Sequence, residues 1–249
     1  MIGRNTLAAV ATAVLLVGGA ATAGAEPPAP PAPIIPPPVQ PANIGDLKTE
    51  ATAYYDSGAY LTDLQQATAP AVAWIDEEAP RTDRPAVVFD IDETVLSNWE
   101  AIQANDFGRV IDGSCTELPH GPCGWRAWDL SARSTVIGPT MDVFDAARGR
   151  GAAVFFITGR DESQRAATER NLAAVGYTGY TGYTGYTGLI MEPVGAQLAS
   201  AADFKAPQRA AIEREGYTII ANLGDQPSDL DGGFAERTYQ LPNPFYRIP

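Results

Sequence analysis

The chain has 249 residues, 45% of them hydrophobic, a net charge of -13 and an isoelectric point near 4.4. A surface this acidic repels nucleic acid and anionic membranes, which excludes partners held through phosphate backbones. It also repels phosphorylated molecules at long range, so any phosphate site has to supply its own local positive charge.

Residues 1–25 read as a secretory signal peptide: Arg4 near the start, an apolar core over 7–17, then small residues ending in Ala23-Gly24-Ala25. The core is too short for an ordinary membrane span. No cysteine follows it, so an exported product without a stable membrane anchor is expected. Residues 26–43, dominated by Pro and Ala, read as a polyproline II spacer. The remaining 44–249 suit one domain with a sizeable core.

Two helical patterns span 44–79, interrupted at Asp56-Ser57-Gly58. Leu47, Ala51 and Tyr54 share one face of the first; Leu61, Leu64, Ala71 and Trp74 fit the second, which Pro70 is expected to kink or divide. The apolar run from Ala86 to Phe89 reads as a strand buried on both faces. It breaks abruptly into Asp90-Ile91-Asp92-Glu93-Thr94. Carboxylates there are costly to bury unless paired or metal-bound. Ligands of open α/β sheets sit at the carboxyl ends of strands, and residues i and i+2 share a face. Asp90 and Asp92 can therefore enter one site as nucleophile and proton donor. The competing reading makes Asp92 a cap for the next helix, with Glu93 in its first turn.

A short helix is expected over 97–105, and then a segment rich in Gly and Pro, 106–139, read as a small cap shaping the substrate pocket. Trp99, Trp125 and Trp128 can stack on an aromatic leaving group, although core packing is the commoner fate of Trp. Cys115 and Cys123 are the only cysteines, and in an exported protein their short spacing favours a disulfide. A zinc pair with His120 is the rival, but no fourth Cys or His exists. Because His120 is the only histidine, a two-histidine zinc protease site and a phosphohistidine site with a second histidine are excluded, and a Ser-His-Asp triad is disfavoured. The chemistry is left to carboxylates, Thr and Lys.

Residues 140–150 read as a helix with Met141, Phe144 and Ala147 on one face. A second buried strand, 152–157, ends in Thr158-Gly159-Arg160, and Asp161 with Gln164 forms a capping box for a helix running to about Val175. Residues 176–188 repeat Tyr-Thr-Gly four times, far too short a period for a solenoid, and read as a mobile surface loop. A short strand over 189–191, a helix over 205–216 and a strand over 217–223 ending in Gly224-Asp225 complete the pattern. Strand and helix alternate, which indicates an α/β fold with a Rossmann-like parallel sheet.

Asp90 and Asp92, Thr158, and Asp225 thus fall on one edge of that sheet. Thr158-Gly159, placed at a helix start, can hold an anion. Lys205, also at a helix start, opposes the macrodipole and supplies the positive charge a phosphate needs, the alternative being an exposed, solvated lysine. Asp229, four residues beyond Asp225, can orient Lys205 or hold a metal-bound water.

Asp90-Ile-Asp-Glu-Thr, Ile157-Thr-Gly-Arg, Lys205 and Gly224-Asp-Gln-Pro-Ser-Asp229 resemble the four ordered motifs of the haloacid dehalogenase (HAD) superfamily. The extended first motif to Asn98 and the ending Leu241-Pro-Asn-Pro-Phe-Tyr246 are similar to its exported acid phosphatases, the class B-like group that includes plant vegetative storage proteins. The resemblance implies a phosphate monoester substrate, with Asp90 as the nucleophile forming an aspartyl-phosphate and Asp92 as the general acid and base. It implies Thr158, Gly159 and Lys205 as phosphate ligands. Mg²⁺ is implied on the Asp90 carboxylate, the Asp92 backbone carbonyl and Asp225, with Asp229 supporting from behind. A non-catalytic storage or binding protein, or phosphate transfer to another alcohol, are the rival outcomes; related plant proteins have lost the nucleophile, which Asp90 retains here.

Overall fold

The computed structural model describes residues 40–177 and 185–248. The expected leader, the spacer up to residue 39 and residues 178–184 of the repeat lie outside the described residues, and so do the expectations of an export signal and a mobile loop. Among the described residues no helix is long and apolar enough to cross a membrane.

The strands are β1 (Pro85–Phe89), β2 (Leu96–Ser97), β3 (Thr135–Val136), β4 (Ala153–Asp161), β5 (Gly188–Glu192), β6 (Thr218–Gly224) and β7 (Arg237–Gln240). Five of them form one parallel sheet in the order β5-β4-β1-β6-β7. The chain builds outward from β1 through β4 and β5, then returns to β6 and β7. Strand order therefore reverses beside β1, the place where open sheets open a crevice for ligands. β2 and β3 form a separate antiparallel pair.

The helices are α1 (Ile44–Asp56), α2 (Ala59–Glu78), α3 (Trp99–Ala104), α4 (Trp125–Ser131), α5 (Gly138–Gly149), α6 (Arg165–Ala174), α7 (Ala202–Arg214) and α8 (Pro227–Leu230). Alternation along β1 sends Val87 and Phe89 into a core with Ala71 and Ile75 of α2 and Val143 and Phe144 of α5. It sends Ala86 and Val88 into a second core with Phe204 and Ile212 of α7. The central strand is buried on both faces because helices cover both.

Several expectations are corrected. Pro70 does not divide α2, which runs unbroken from Ala59 to Glu78. Pro70 lies on the exposed face of the helix. The buried stripe of α2 is Tyr60, Leu64, Thr68, Ala71 and Ile75, whereas Leu61 is exposed, and so is Leu47 of α1. α5 begins at Gly138, which takes the last residues of 106–139, and the segment is not wholly irregular, since it carries α4 and β3. Cys115 and Cys123 are joined in a disulfide there.

Candidate active site

Asp90 prolongs the ladder of β1, its N–H donating to the Leu223 carbonyl at 2.9 Å. The chain then turns tightly, with Ile91 O accepting from the amides of Val95 and Leu96 and Glu93 in a left-handed conformation (φ 52°). Asp92 does not cap a helix. Asn98 stands at the start of α3 instead, and its amide donates to Glu93 Oε1 at 2.6 Å.

Lys205 lies in the first turn of α7 and is only 4% exposed, so it is no solvated surface lysine. Its Nζ donates to Asp90 Oδ1 and, at 2.6 Å, to Asp229 Oδ1. Asp229 is fixed on its other side by the Gln226 amide, which donates to Oδ2 at 2.9 Å. Glycine is required at 224, because a Cβ there would meet Asp229 Cβ at 2.4 Å. Asp225 Oδ2 accepts from Gln226 Nε2 at 2.5 Å and Asn243 Nδ2 at 2.7 Å.

Burial pushes the Asp90 carboxyl well above its ordinary value; the Lys205 charge opposes the shift and the acids around it reinforce it. Asp225 is pushed up to about 8, first by burial and then by the Asp229 charge. Burial alone would lower Lys205, but Asp229 and Asp90 outweigh it and raise it. The cluster therefore lacks positive charge. Asp90, Asp225 and Asp229 each present an oxygen within 4.8 Å of the others, an all-oxygen donor set that fits a hard divalent cation. The Asp92 carboxylate is not part of this cluster.

Asp92 is turned toward Arg160, which grips it through Nη2 at 2.6 Å and Nε at 3.1 Å. Asn98 Nδ2 adds a third bond at 2.8 Å. Burial raises the Asp92 carboxyl, yet the Arg160 charge and these bonds outweigh it and hold it below the ordinary carboxylate range. Arg160 Nη2 also lies 3.2 Å from Oδ1 of buried Asp129 on α4, a close ion pair without an aligned hydrogen bond. Burial lifts Asp129 to about 7 against the opposing Arg160 charge. Asn98 is oriented in turn by Trp128 Nε1 at 2.8 Å and the Ser134 hydroxyl at 2.7 Å, both donating to its Oδ1. Arg160, Asn98 and Asp129 were assigned no role by sequence reasoning. Arg160 was visible only as the last residue of Thr-Gly-Arg.

These groups open into a cleft of ≈ 570 Å³ whose wall includes Asp90, Asp92, Arg109, Trp125, Glu192 and Tyr246. Gly159 lines it, whereas Thr158 is fully buried behind it, its hydroxyl accepting from the Arg160 amide at 3.1 Å. Neither starts a helix. β4 continues to Asp161, and the Asp161–Gln164 capping box opens a 3-10 turn ahead of α6. Trp125 alone of the three tryptophans faces the cleft. Trp128 is buried beside Cys123, and Trp99 stacks on Tyr55 with ring centres 3.8 Å apart.

A family profile described as HAD superfamily, subfamily IIIB (Acid phosphatase) matches residues 38–249. Acid phosphatase 1 of Solanum lycopersicum is 29% identical over 66% of this chain and 60% of its own length. The stem 28 kDa glycoprotein of Glycine max is 30% identical over 65% and 59%, and vegetative storage protein 1 of Arabidopsis thaliana 30% over 65% and 55%. The chain thus spans less than two thirds of the length of these curated relatives. The class C acid phosphatase from Bacillus anthracis, solved with tungstate bound, superposes with a TM-score of 0.62 at 21% identity, covering 81% of this chain and 86% of that one, which is a likeness of fold. The profile runs through every motif region and most of the sequence, and the chain belongs to the HAD superfamily, subfamily IIIB, the acid phosphatase family.

Proposed function

We propose that this protein is an exported phosphomonoesterase that works through an aspartyl-phosphate on Asp90 and uses Mg²⁺. The observation that carries the reading is the buried contact of Asp90 with Lys205 inside a carboxylate cluster that opens on a cleft. A nucleophilic carboxylate beside a fixed cation is the arrangement that an anionic phosphoryl group requires. Family membership and the tomato acid phosphatase support the same activity.

Asp90 attacks phosphorus and expels the alcohol. Lys205 and the Gly159 backbone hold the phosphoryl oxygens while their charge redistributes, and Thr158, buried behind the cleft, fixes the turn through Gly159 by accepting from the Arg160 amide. Arg160 keeps Asp92 ionised in the resting site. The proton for the leaving oxygen therefore arrives with the ester monoanion and passes through Asp92, which later takes a proton from the hydrolytic water. The Asp90 and Asp225 carboxylates and the Asp92 backbone carbonyl would hold Mg²⁺, which would supply positive charge to offset repulsion between these acids and the phosphate. Residues 106–139 form the leaving-group side of the pocket. Dependence on the monoanion places the optimum at mildly acidic to neutral pH, and a rate rising steadily above pH 8 would contradict it.

Hydrolysis of p-nitrophenyl phosphate with Mg²⁺ and with EDTA, in wild type and Asp90→Asn, tests the reading. Metal-dependent turnover lost in the variant supports it. A folded, Mg²⁺-treated wild type without turnover favours the storage reading that the vegetative storage relatives suggest. Product analysis with excess glycerol separates hydrolysis from transfer to an alcohol.

A further inference from the structure

The ending Leu241-Pro242-Asn243-Pro244-Phe245-Tyr246 has no part in the reaction above, yet it is built into the site. The Leu241 amide donates to Gly224 O at 2.9 Å, directly before Asp225. The segment then runs as a strap across the cluster. Asn243 Nδ2 donates to Asp225 Oδ2 at 2.7 Å, while Asn243 Oδ1 accepts from the Phe245 amide at 3.0 Å and so fixes the orientation of the side-chain amide. The Ile248 amide donates to Gln226 Oε1 at 3.1 Å, and Gln226 is the second donor to Asp225 Oδ2. Buried Phe245 packs against Tyr60 of α2 and Trp99 of α3, each with ring centres 5.0 Å apart, so neighbouring helices clamp the strap.

Two donors occupy Asp225 Oδ2, whereas among the described residues Oδ1 accepts only a long contact of 3.3 Å from Thr94. Two amide bonds engage the lone pairs of one carboxylate oxygen and leave the other for a cation. Behind Asp225 lies a second cleft of ≈ 560 Å³, bordered by Asp63, Gln66, Asn243 and Arg247. Asp225 borders this cleft as well as the first, so packing alone does not enclose its carboxylate and the two amide donors fix its orientation.

We propose that Asn243 is a positioning residue for the divalent cation: it holds Asp225 so that Oδ1 faces the ion beside Asp90. The C-terminal strap is then part of the cation site and not only a packing element. The inference rests on the reading of Asp90 and Asp225 as cation ligands.

The test is calorimetric titration of Mg²⁺ into the metal-stripped full chain, wild type against Asn243→Ser. Serine can still accept from the Phe245 amide but is too short to reach Asp225. Removing an outer partner of a metal ligand weakens affinity about 10–100-fold, and that rise in Kd is expected with the metal-free melting temperature nearly unchanged. The Mg²⁺ concentration giving half-maximal rate should rise by the same factor while kcat at saturation is kept. A folded variant with the wild-type Kd would overturn the inference alone. A wild type that binds no Mg²⁺ saturably would overturn the ligand reading and the inference with it. Asn243→Ala is the second variant; if both fail to fold, the strap is a packing element and the inference is wrong.

Discussion

Replacing Arg160 by Met removes the only cation touching Asp92 and Asp129 among the described residues while keeping most of the side-chain volume. Arg160 is 3% exposed and Asp129 2%, so the variant strands the Asp129 carboxylate away from water, whereas Asp92 still borders the cleft. Breaking a buried ion pair from one side costs about 3–5 kcal/mol. For a domain of this size that corresponds to a fall in Tm of about 6–20 °C. The cost depends on pH through Asp129. Its folded pKa, about 7, lies above the ordinary carboxylate value. Its contribution to stability is therefore present at low pH and lost as pH rises through 7. Without Arg160 the Asp129 carboxyl rises further, so the deficit of the variant widens between pH 5 and pH 8. Asp92 behaves oppositely: Arg160 lowers it, that stabilisation persists at pH 5, and the variant lacks it there too. Urea unfolding of EDTA-treated wild type and Arg160→Met at pH 5 and pH 8 measures both parts. A loss under about 1 kcal/mol at pH 8, the size of an exposed pair, or one that shrinks as pH rises, would refute the reasoning.

Gly224→Ala forces a Cβ to 2.4 Å from Asp229 Cβ, and Asp229 is pinned by Lys205 and Gln226. Overpacking of about 1–3 kcal/mol and a turnover loss of tenfold or more are expected; wild-type urea midpoint and rate would contradict this. Tyr246→Phe deletes the hydroxyl that donates to Glu93 Oε2 at 2.6 Å but leaves the two Asn98 donors, so a loss of about 1–2 kcal/mol is expected. Calorimetry should show its Mg²⁺ affinity unchanged. Burial raises Glu93 and Asp225 each to about 8 in the metal-free protein, above their unfolded values. The stability these groups contribute is present below about pH 4 and lost as pH rises through 8, so the metal-free protein should unfold at lower urea at pH 9 than at pH 6. A midpoint that rises over that range would show the signs to be wrong.

The central strands were legible because 86–89, 152–157 and 217–223 are continuous apolar runs, the mark of strands covered on both faces. β7 was not, because Arg237-Thr-Tyr-Gln240 is an edge strand, mostly exposed, with no apolar run to announce it. Asp90, Asp92 and Asp225 could be placed at strand ends from the polarity break alone. Their partners could not: Arg160 reaches Asp92 from 68 residues away, and Asn243 reaches Asp225 from a turn whose local sequence gives no hint of a carboxylate. The buried face of α2 departs from the sequence pattern for a related reason. Leu61 is the more apolar residue, but Tyr60 meets the rings of Tyr55 and Phe245, which are distant from it in pattern or in sequence. The apolar run stops at Ile157, which points to a helix start at Thr158-Gly159, whereas the strand itself continues through Asp161.

Covalent chemistry at Asp90 is measured most directly by trapping it. Wild-type protein with Mg²⁺ and p-nitrophenyl phosphate is quenched in acid within the first turnover, reduced with borohydride and digested for mass spectrometry. Homoserine at position 90, formed from the acyl phosphate, is expected, and none when substrate is omitted. Turnover under the same conditions with Asp90 unmodified at every quench time, in a variant series where Asp90→Asn keeps its activity, would contradict it.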